Sequence, residues 1–238
     1  MNTILMDLDG TLLPMDVDIF TKAYFGALAR RCASMGYNGE ELVAAVWTGT
    51  KAMVANDGVI SNEEKFWQSF ASVLGEKVLD MKEEFEDFYR NEFYGLKEYT
   101  KPNPLAAPCM AALKEKGYRV VLATNPLFPL TGMVARLSWL GLKPEDFAHI
   151  TAYENTCHCK PNPDYYRHIL RVLNEEPKNC LMVGNDPKED MCAETVGIDV
   201  FLVTDCMVNQ KGADIGAYRQ GSFQDFYDFV QNLPKATT

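Results

Sequence analysis

The 238-residue chain carries 23 basic and 33 acidic side chains, a formal charge of -10, which leaves no basic footprint for nucleic acid or an anionic membrane surface. No apolar run reaches the ~20 residues of a bilayer span, and the length supports a substantial core without disulfides or structural metal. Seven cysteines, an odd number mostly scattered, fit a reducing compartment. Met1-Asn2 runs straight into an apolar stretch, so no targeting segment is expected and the protein is read as soluble and cytoplasmic.

Thr3-Ile4-Leu5-Met6 begins a short apolar run of the kind that forms a buried parallel strand, and it ends in Asp7-Leu8-Asp9-Gly10-Thr11. Successive strand side chains alternate, so Asp7 and Asp9 return to the same side, and Gly10 lets the chain turn away beside them. In open parallel sheets this strand end is where ligands sit. Asp-x-Asp-Gly also fits an ordinary turn, and the rest of the chain has to decide.

From about Pro14 to Tyr99 apolar residues recur at helical spacing: Phe20, Tyr24, Ala27 and Leu28, then Leu42, Val46 and Trp47, then Phe66, Phe70, Val73 and Leu74, then Phe85, Phe88 and Phe93. Ser61-Asn62-Glu63-Glu64 has the form of a capping box, and Gly36, Gly75 and Gly95 are placed to stop helices. This predicts an all-helical insert of four or five helices, its aromatics packed as a core.

Beyond Lys101 strand and helix alternate. Ala107 to Lys116 reads as helix, Arg119 to Thr124 as a buried strand, Leu130 to Leu140 as an amphipathic helix closed by Gly141, and Ile150 to Tyr153 as a short strand. Asn162-Pro163 supplies an N-cap and first-turn proline for a helix to about Leu173. Cys180 to Gly184 is a further strand, followed by Asn185-Asp186-Pro187 and a helix to Val196. Asp199 to Val203 is the last core strand, Asp205 to Gly221 reads as loop, and Ser222 to about Leu233 as a terminal helix. This order specifies an α/β fold: a doubly wound parallel sheet with helices on both faces, carrying the helical insert after its first strand.

The chemistry-bearing residues fall at the carboxyl ends of those strands: Asp7 and Asp9, Thr124 and Asn125, Lys160 in a loop, Asn185 and Asp186, and Asp190 four residues on. Each has an ordinary reading. Thr124 is a common cap, a lysine before proline is usually solvated, Asp186 before Pro187 suits an N-cap, and Asp190 passes as a surface charge. Their joint placement is what points to a site.

In these motifs the sequence resembles the haloacid dehalogenase-like hydrolases. Asp7-Leu8-Asp9-Gly10-Thr11 matches the first motif of that superfamily, Thr124 the second, Lys160 the third, and Asp186 with Asp190 the acidic fourth, in the right order along the core. Asn185 stands where many relatives run glycine straight into aspartate. The resemblance implies a core of residues 1–13 and 100–238 and a helical cap over 14–99. It further implies a phosphatase acting on a small phosphorylated metabolite, with Asp7 as nucleophile forming an aspartyl-phosphate and Asp9 as acid and base. Thr124, the Asn125 amide and Lys160 would hold phosphate. Mg²⁺ would bind the Asp7 carboxylate, the Asp9 carbonyl and Asp186, with Asp190 and Asn185 behind them. A like-charge pair ~4 Å apart costs on the order of 4 kcal/mol at an effective dielectric near 20, so Lys160 alone is too little positive charge for these carboxylates and a dianionic substrate.

Met15, Asp18 and Tyr24 are the cap residues placed to border a pocket, although Phe20 and Tyr24 also suit cap core. Cys157-His158-Cys159 lacks the spacing and partner pair of a zinc site, and His149 and His168 read as structural or surface residues. A phosphomutase or dehalogenase on this fold, or a non-catalytic ligand-binding or regulatory relative, are the alternatives; Asp9 weighs against a dehalogenase and the intact motifs against a non-catalytic member. Monomer and dimer are both open.

Overall fold

The structure, a computed structural model, describes residues 1–210 and 212–236. Among them the chain forms a parallel sheet of six strands: β1 (Thr3–Met6), β2 (Arg119–Leu122), β3 (His149–Ile150), β4 (Cys180–Gly184), β5 (Asp199–Val203) and β6 (Arg219–Gly221). Their order is β3-β2-β1-β4-β5-β6, so the chain winds outward from β1 in one direction and then in the other. The topological switch falls between β1 and β4, where doubly wound sheets open a crevice at the strand carboxyl ends.

Alternation along the strands feeds two apolar layers. Leu5, Val121 and Met182 pack with Tyr165, Tyr166 and Ile169 of α7 (Pro163–Leu173) on one face. Ile4, Met6, Val120, Leu181 and Phe201 face the other way, toward α5 (Ala106–Glu115), α6 (Leu130–Trp139) and α8 (Phe223–Asn232).

The insert forms four α-helices among the described residues: α1 (Val17–Ala33), α2 (Gly39–Val54), α3 (Asn62–Leu74) and α4 (Lys82–Arg90), with 3₁₀ turns at Glu76–Met81 and Glu92–Tyr99. The expected capping box is present: the Glu64 amide donates to Ser61 Oγ at 3.1 Å and the Ser61 amide to Glu64 Oε2 at 2.9 Å. The chain enters and leaves this helical cap side by side, with Met15 bridged to Thr100 and the Lys101 amide donating to Pro14 O at 2.8 Å.

Two contacts seat the cap. Phe93, fully buried, stacks on Trp139 of α6 with centroids 5.7 Å apart and meets Phe20 edge-on at 6.2 Å. At the start of α3, the Asn62 and Glu63 amides donate to Thr156 O and Tyr153 O, each at 2.8 Å. These spend the free amides of a helix N-terminus on the core loop leading to Lys160.

Four elements depart from the sequence reading. The stretch 205–221, expected as loop, ends in β6, which pairs with β5 through backbone alone, because Arg219-Gln220-Gly221 carries no apolar alternation to announce a strand; residue 211 of that stretch lies outside the described residues. The expected Ile150–Tyr153 strand shrinks to His149–Ile150, since the Thr151 hydroxyl turns to Thr124 O at 2.8 Å and the Ala152 amide to Asn155 Oδ1 at 3.0 Å. The helix expected after Pro187 is a 3₁₀ turn beginning only at Met191. Gly95 sits inside the Glu92–Tyr99 turn and stops nothing, whereas Gly75 does cap α3.

No helix among the described residues is long and apolar enough to cross a membrane. Phe93→Ala is expected to lower unfolding stability by ~3–5 kcal/mol, because it empties the joint between cap and α6; urea denaturation measures this.

Candidate active site

β1, β2 and β4 run in register, with Met6 opposite both Leu122 and Val183. The pairing continues one step further, as Ala123 N–H donates to Met6 O at 2.8 Å and Asp7 N–H to Val183 O at 2.9 Å. Residues just past three strands therefore arrive together. Asp7, Asp9, Thr124, Asn125, Asn185, Asp186 and Asp190 all line one cavity of about 410 Å³.

Lys160 lies beneath them. The reading of a solvated lysine fails: its side chain is 1% exposed, and Nζ stands 2.9 Å from Asp7 Oδ1 and 2.6 Å from Asp190 Oδ1. Burial works against its charge, but Asp190 and Asp7 outweigh burial and hold the ammonium well above the usual lysine range. Its backbone amide donates to Asn125 Oδ1 at 3.2 Å, which ties the Lys160 loop to the end of β2.

Asp190 is not a surface charge. Its Oδ2 accepts the Asp186 amide at 2.9 Å, and burial pushes its carboxyl up to about 7 against the pull of Lys160. Asp186 Oδ1 accepts the Lys188 and Glu189 amides at 2.7 and 3.0 Å, the capping geometry that holds 186–190 as a turn while Asp186 still borders the cavity. Thr124 is buried, and its carbonyl accepts the Tyr165 hydroxyl at 2.8 Å.

Two glycines make this packing possible. Gly10 has φ +86°, and a Cβ there would lie 2.2 Å from Asn185 Nδ2; a Cβ on Gly184 would lie 2.1 Å from Asp190 Oδ2. Asn185, the departure from the motif pattern, thus fills the space over Gly10 and shares the Thr11 hydroxyl with Asp7, at 3.1 and 3.0 Å.

Sequence reasoning missed Arg136. This arginine of α6 is fully buried, its guanidinium lies 4.4 Å over the Phe128 ring, and it pairs with Asp9 Oδ2. Lys160 is therefore not the lone cation of the site. The available signal was a charge on the buried stripe, three and four residues after Met133 and Gly132. Asp9 Oδ1 is buried and has no hydrogen-bond partner. Burial raises the Asp9 carboxyl; Arg136 opposes this and Asp7 adds to it, with a net upward shift. Glu189 was also missed; its Oε2 accepts Asn125 Nδ2 at 2.9 Å.

Of the cap candidates, Met15 and Tyr24 line the cavity, as does Phe20, while Asp18 is exposed on the first turn of α1 and stays outside. Cys159 packs at the cap joint, its thiol 3.5 Å from Met53 O and approached by Asn62 Nδ2 at 3.4 Å. His149 and His168 are partly buried with lowered pKa values, caused first by burial. No group of three or more His, Cys, Asp or Glu side chains that could hold a metal forms among the described residues.

The family model for haloacid dehalogenase-like hydrolases matches residues 1–193. The chain belongs to the haloacid dehalogenase-like hydrolase family. Among its relatives in that family, a phosphoglycolate phosphatase of Aquifex aeolicus is 28% identical over 85% of this chain and 84% of its own. The pyrophosphatase PpaX of Anoxybacillus flavithermus is 23% identical over 82% and 80%. Among solved structures, a HAD phosphatase from Thermococcus onnurineus aligns with a TM-score of 0.64 at 17% identity, covering 99% of this chain and 100% of that one. The L-2-haloacid dehalogenase of Xanthobacter autotrophicus aligns at 0.56 and 17%, covering 98% and 99%, so the fold itself is shared by enzymes of different chemistry.

Lys160→Met is expected to cost ~3–5 kcal/mol of stability by leaving Asp190 buried without its partner, read by chemical denaturation near neutral pH.

Proposed function

We propose that the protein is a phosphatase that hydrolyses a small phosphomonoester through an aspartyl-phosphate on Asp7, with residues 14–99 as the cap over a core of 1–13 and 100–238. The observation that carries this reading is the unequal pair of aspartates. Asp7 is held in place by Lys160, whose Nζ lies 2.9 Å from Asp7 Oδ1, the fixed position a nucleophile needs. Asp9, two residues on, combines a raised pKa with one oxygen fixed by Arg136 and the other buried and unpartnered. A carboxyl whose pKa is raised by burial, beside one held by a lysine, is the division of labour that general acid catalysis needs.

In the first step an Asp7 oxygen attacks phosphorus and the bond to the leaving oxygen breaks, Asp9 giving that oxygen its proton. In the second step Asp9 takes a proton from water as the water displaces Asp7. Thr124 and the Asn125 amide bind the phosphate oxygens, and Lys160 offsets their charge from below. The names of the curated relatives, a phosphoglycolate phosphatase and a pyrophosphatase, support phosphoryl hydrolysis as the reaction class.

A hard divalent cation fits the donor set. Five carboxyl groups, those of Asp7, Asp9, Asp186, Glu189 and Asp190, line the cavity, the buried cations Lys160 and Arg136 behind them are already paired with Asp7, Asp190 and Asp9, and every donor is oxygen. The Asp7 carboxylate, the Asp9 carbonyl and Asp186 would hold Mg²⁺, which would supply charge opposite the transferring phosphoryl group.

Phosphate release from a panel of phosphomonoesters tests the reading. Asp7→Asn is expected to abolish turnover and Asp9→Asn to reduce it ~10²–10⁴-fold; full activity in Asp7→Asn would refute the nucleophile. Excess chelator is expected to stop the reaction and Mg²⁺ to restore it.

A further inference from the structure

The catalytic carboxyls occupy only one end of the cavity. Above them the walls belong to the cap and to core loops, chiefly the one that leads into α6, and their chemistry is uniform: Phe20, Tyr24, Trp47, Phe66, Trp67 and Phe128 dominate. No Lys, Arg or His among the described residues lines the cavity, and beyond the acidic floor its polar side chains are neutral hydroxyls, the Trp47 and Trp67 indoles and the Asn125 and Asn185 amides at the strand ends. Most of these rings satisfy one another as a cap core would. Trp47 meets Phe25 on one side, yet it and Val17, both lining the cavity, remain 45% and 47% exposed, leaving apolar surface that the chain itself does not cover.

We infer that the substrate is a phosphate monoester of an uncharged, largely apolar alcohol, aliphatic or aromatic, and not an ester whose organic part carries a carboxylate or a second phosphate. This rests on the phosphatase reading of the same site. A second anionic group beyond the scissile phosphate would be desolvated among aromatic rings with no cation to pair with, a large penalty, whereas an apolar group gains from the burial. One directional contact is available. The Tyr24 and Tyr89 hydroxyls lie 2.8 Å apart, and their mutual bond uses one of two hydrogens, leaving one donor for a neutral oxygen of the alcohol. Burial raises the pKa of Tyr24 to about 12 and holds that of Tyr89 well above the usual phenol range, so both stay neutral as the ester binds. Hydrolysis breaks one phosphorus–oxygen bond; the alcohol leaves with the proton from Asp9, and water supplies the oxygen and proton that complete inorganic phosphate. No other reactant is required.

The test is a homologous series, ethyl, butyl and hexyl phosphate, beside phosphoglycolate, whose leaving group carries a carboxylate. The chemistry at phosphorus is nearly constant across the alkyl series, so kcat/KM is expected to rise about fourfold per buried methylene, with phosphoglycolate at least tenfold below hexyl phosphate. Thr50 of α2 lines the same cavity half-buried, and Thr50→Lys is expected to flatten the alkyl series and raise phosphoglycolate. A flat series in the unaltered protein, or phosphoglycolate ahead of hexyl phosphate, overturns the inference while Asp7-dependent turnover keeps the phosphatase reading. Non-hydrolysable alkylphosphonates, followed by the fluorescence of Trp47 and Trp67, separate the two failures. Chain-length-dependent binding without hydrolysis of any ester overturns the catalytic reading and supports the cavity preference. Absence of both overturns the two together.

Discussion

A buried ammonium between two carboxylates holds this site together. Lys160 reaches Asp7 from the first strand and Asp190 from the turn after the fourth, and those strands are neighbours only because the sheet reverses its winding between them. At an effective dielectric near 20, an opposite-charge contact of ~4 Å is worth on the order of 4 kcal/mol, enough to offset part of the burial that would otherwise neutralise each partner. The other site contacts follow this triad. Gly184 is free of a side chain so that Asp190 can approach, Asp190 in turn receives the Asp186 amide, and the Asn125 side chain joins the Lys160 loop to Glu189.

Arg136 forms a second buried cation, and it gives the two motif aspartates different partners. One carboxyl faces a lysine embedded in the core, while the other faces an arginine from the helix that also carries the cap through Trp139. Asp9 is thus linked through Arg136 to the cap joint: Phe93 stacks on Trp139, and Phe128, beneath the Arg136 guanidinium, also meets Tyr24 of the cap. Cap and sheet share a continuous apolar cluster along this line, so the cap is packed onto the core in addition to lying over the site.

The cavity unites two solvents for one substrate. Its floor is dense in carboxyl groups suited to phosphoryl chemistry in the presence of cations, and its walls are aromatic. The fold is common to phosphatases and to a dehalogenase, so the identity of the organic group has to be read from wall chemistry and not from the sheet.

The sequence alone determined the doubly wound sheet, the helical cap, and the placement of Asp7, Asp9, Thr124, Asn125, Asn185 and Asp186 at strand ends, with Asp190 just beyond and Lys160 in a loop. These are local signals: short apolar runs end in polar residues, and helical spacing and caps mark the insert. Tertiary structure decided the rest. Arg136 is one charge on an amphipathic helix until α6 lies against the first strand's end, and β6 joins the sheet by backbone pairing with β5, with no apolar alternation to announce it. Asp18 and Tyr24, equally placed in sequence, separate because helix rotation turns one outward and the other onto the aromatic cluster. Which charges pair and which walls a cavity has depend on contacts between residues far apart in the chain, 30 positions for Lys160–Asp190, 127 for Arg136–Asp9 and 153 for Lys160–Asp7, and single-sequence patterns carry no information at that range.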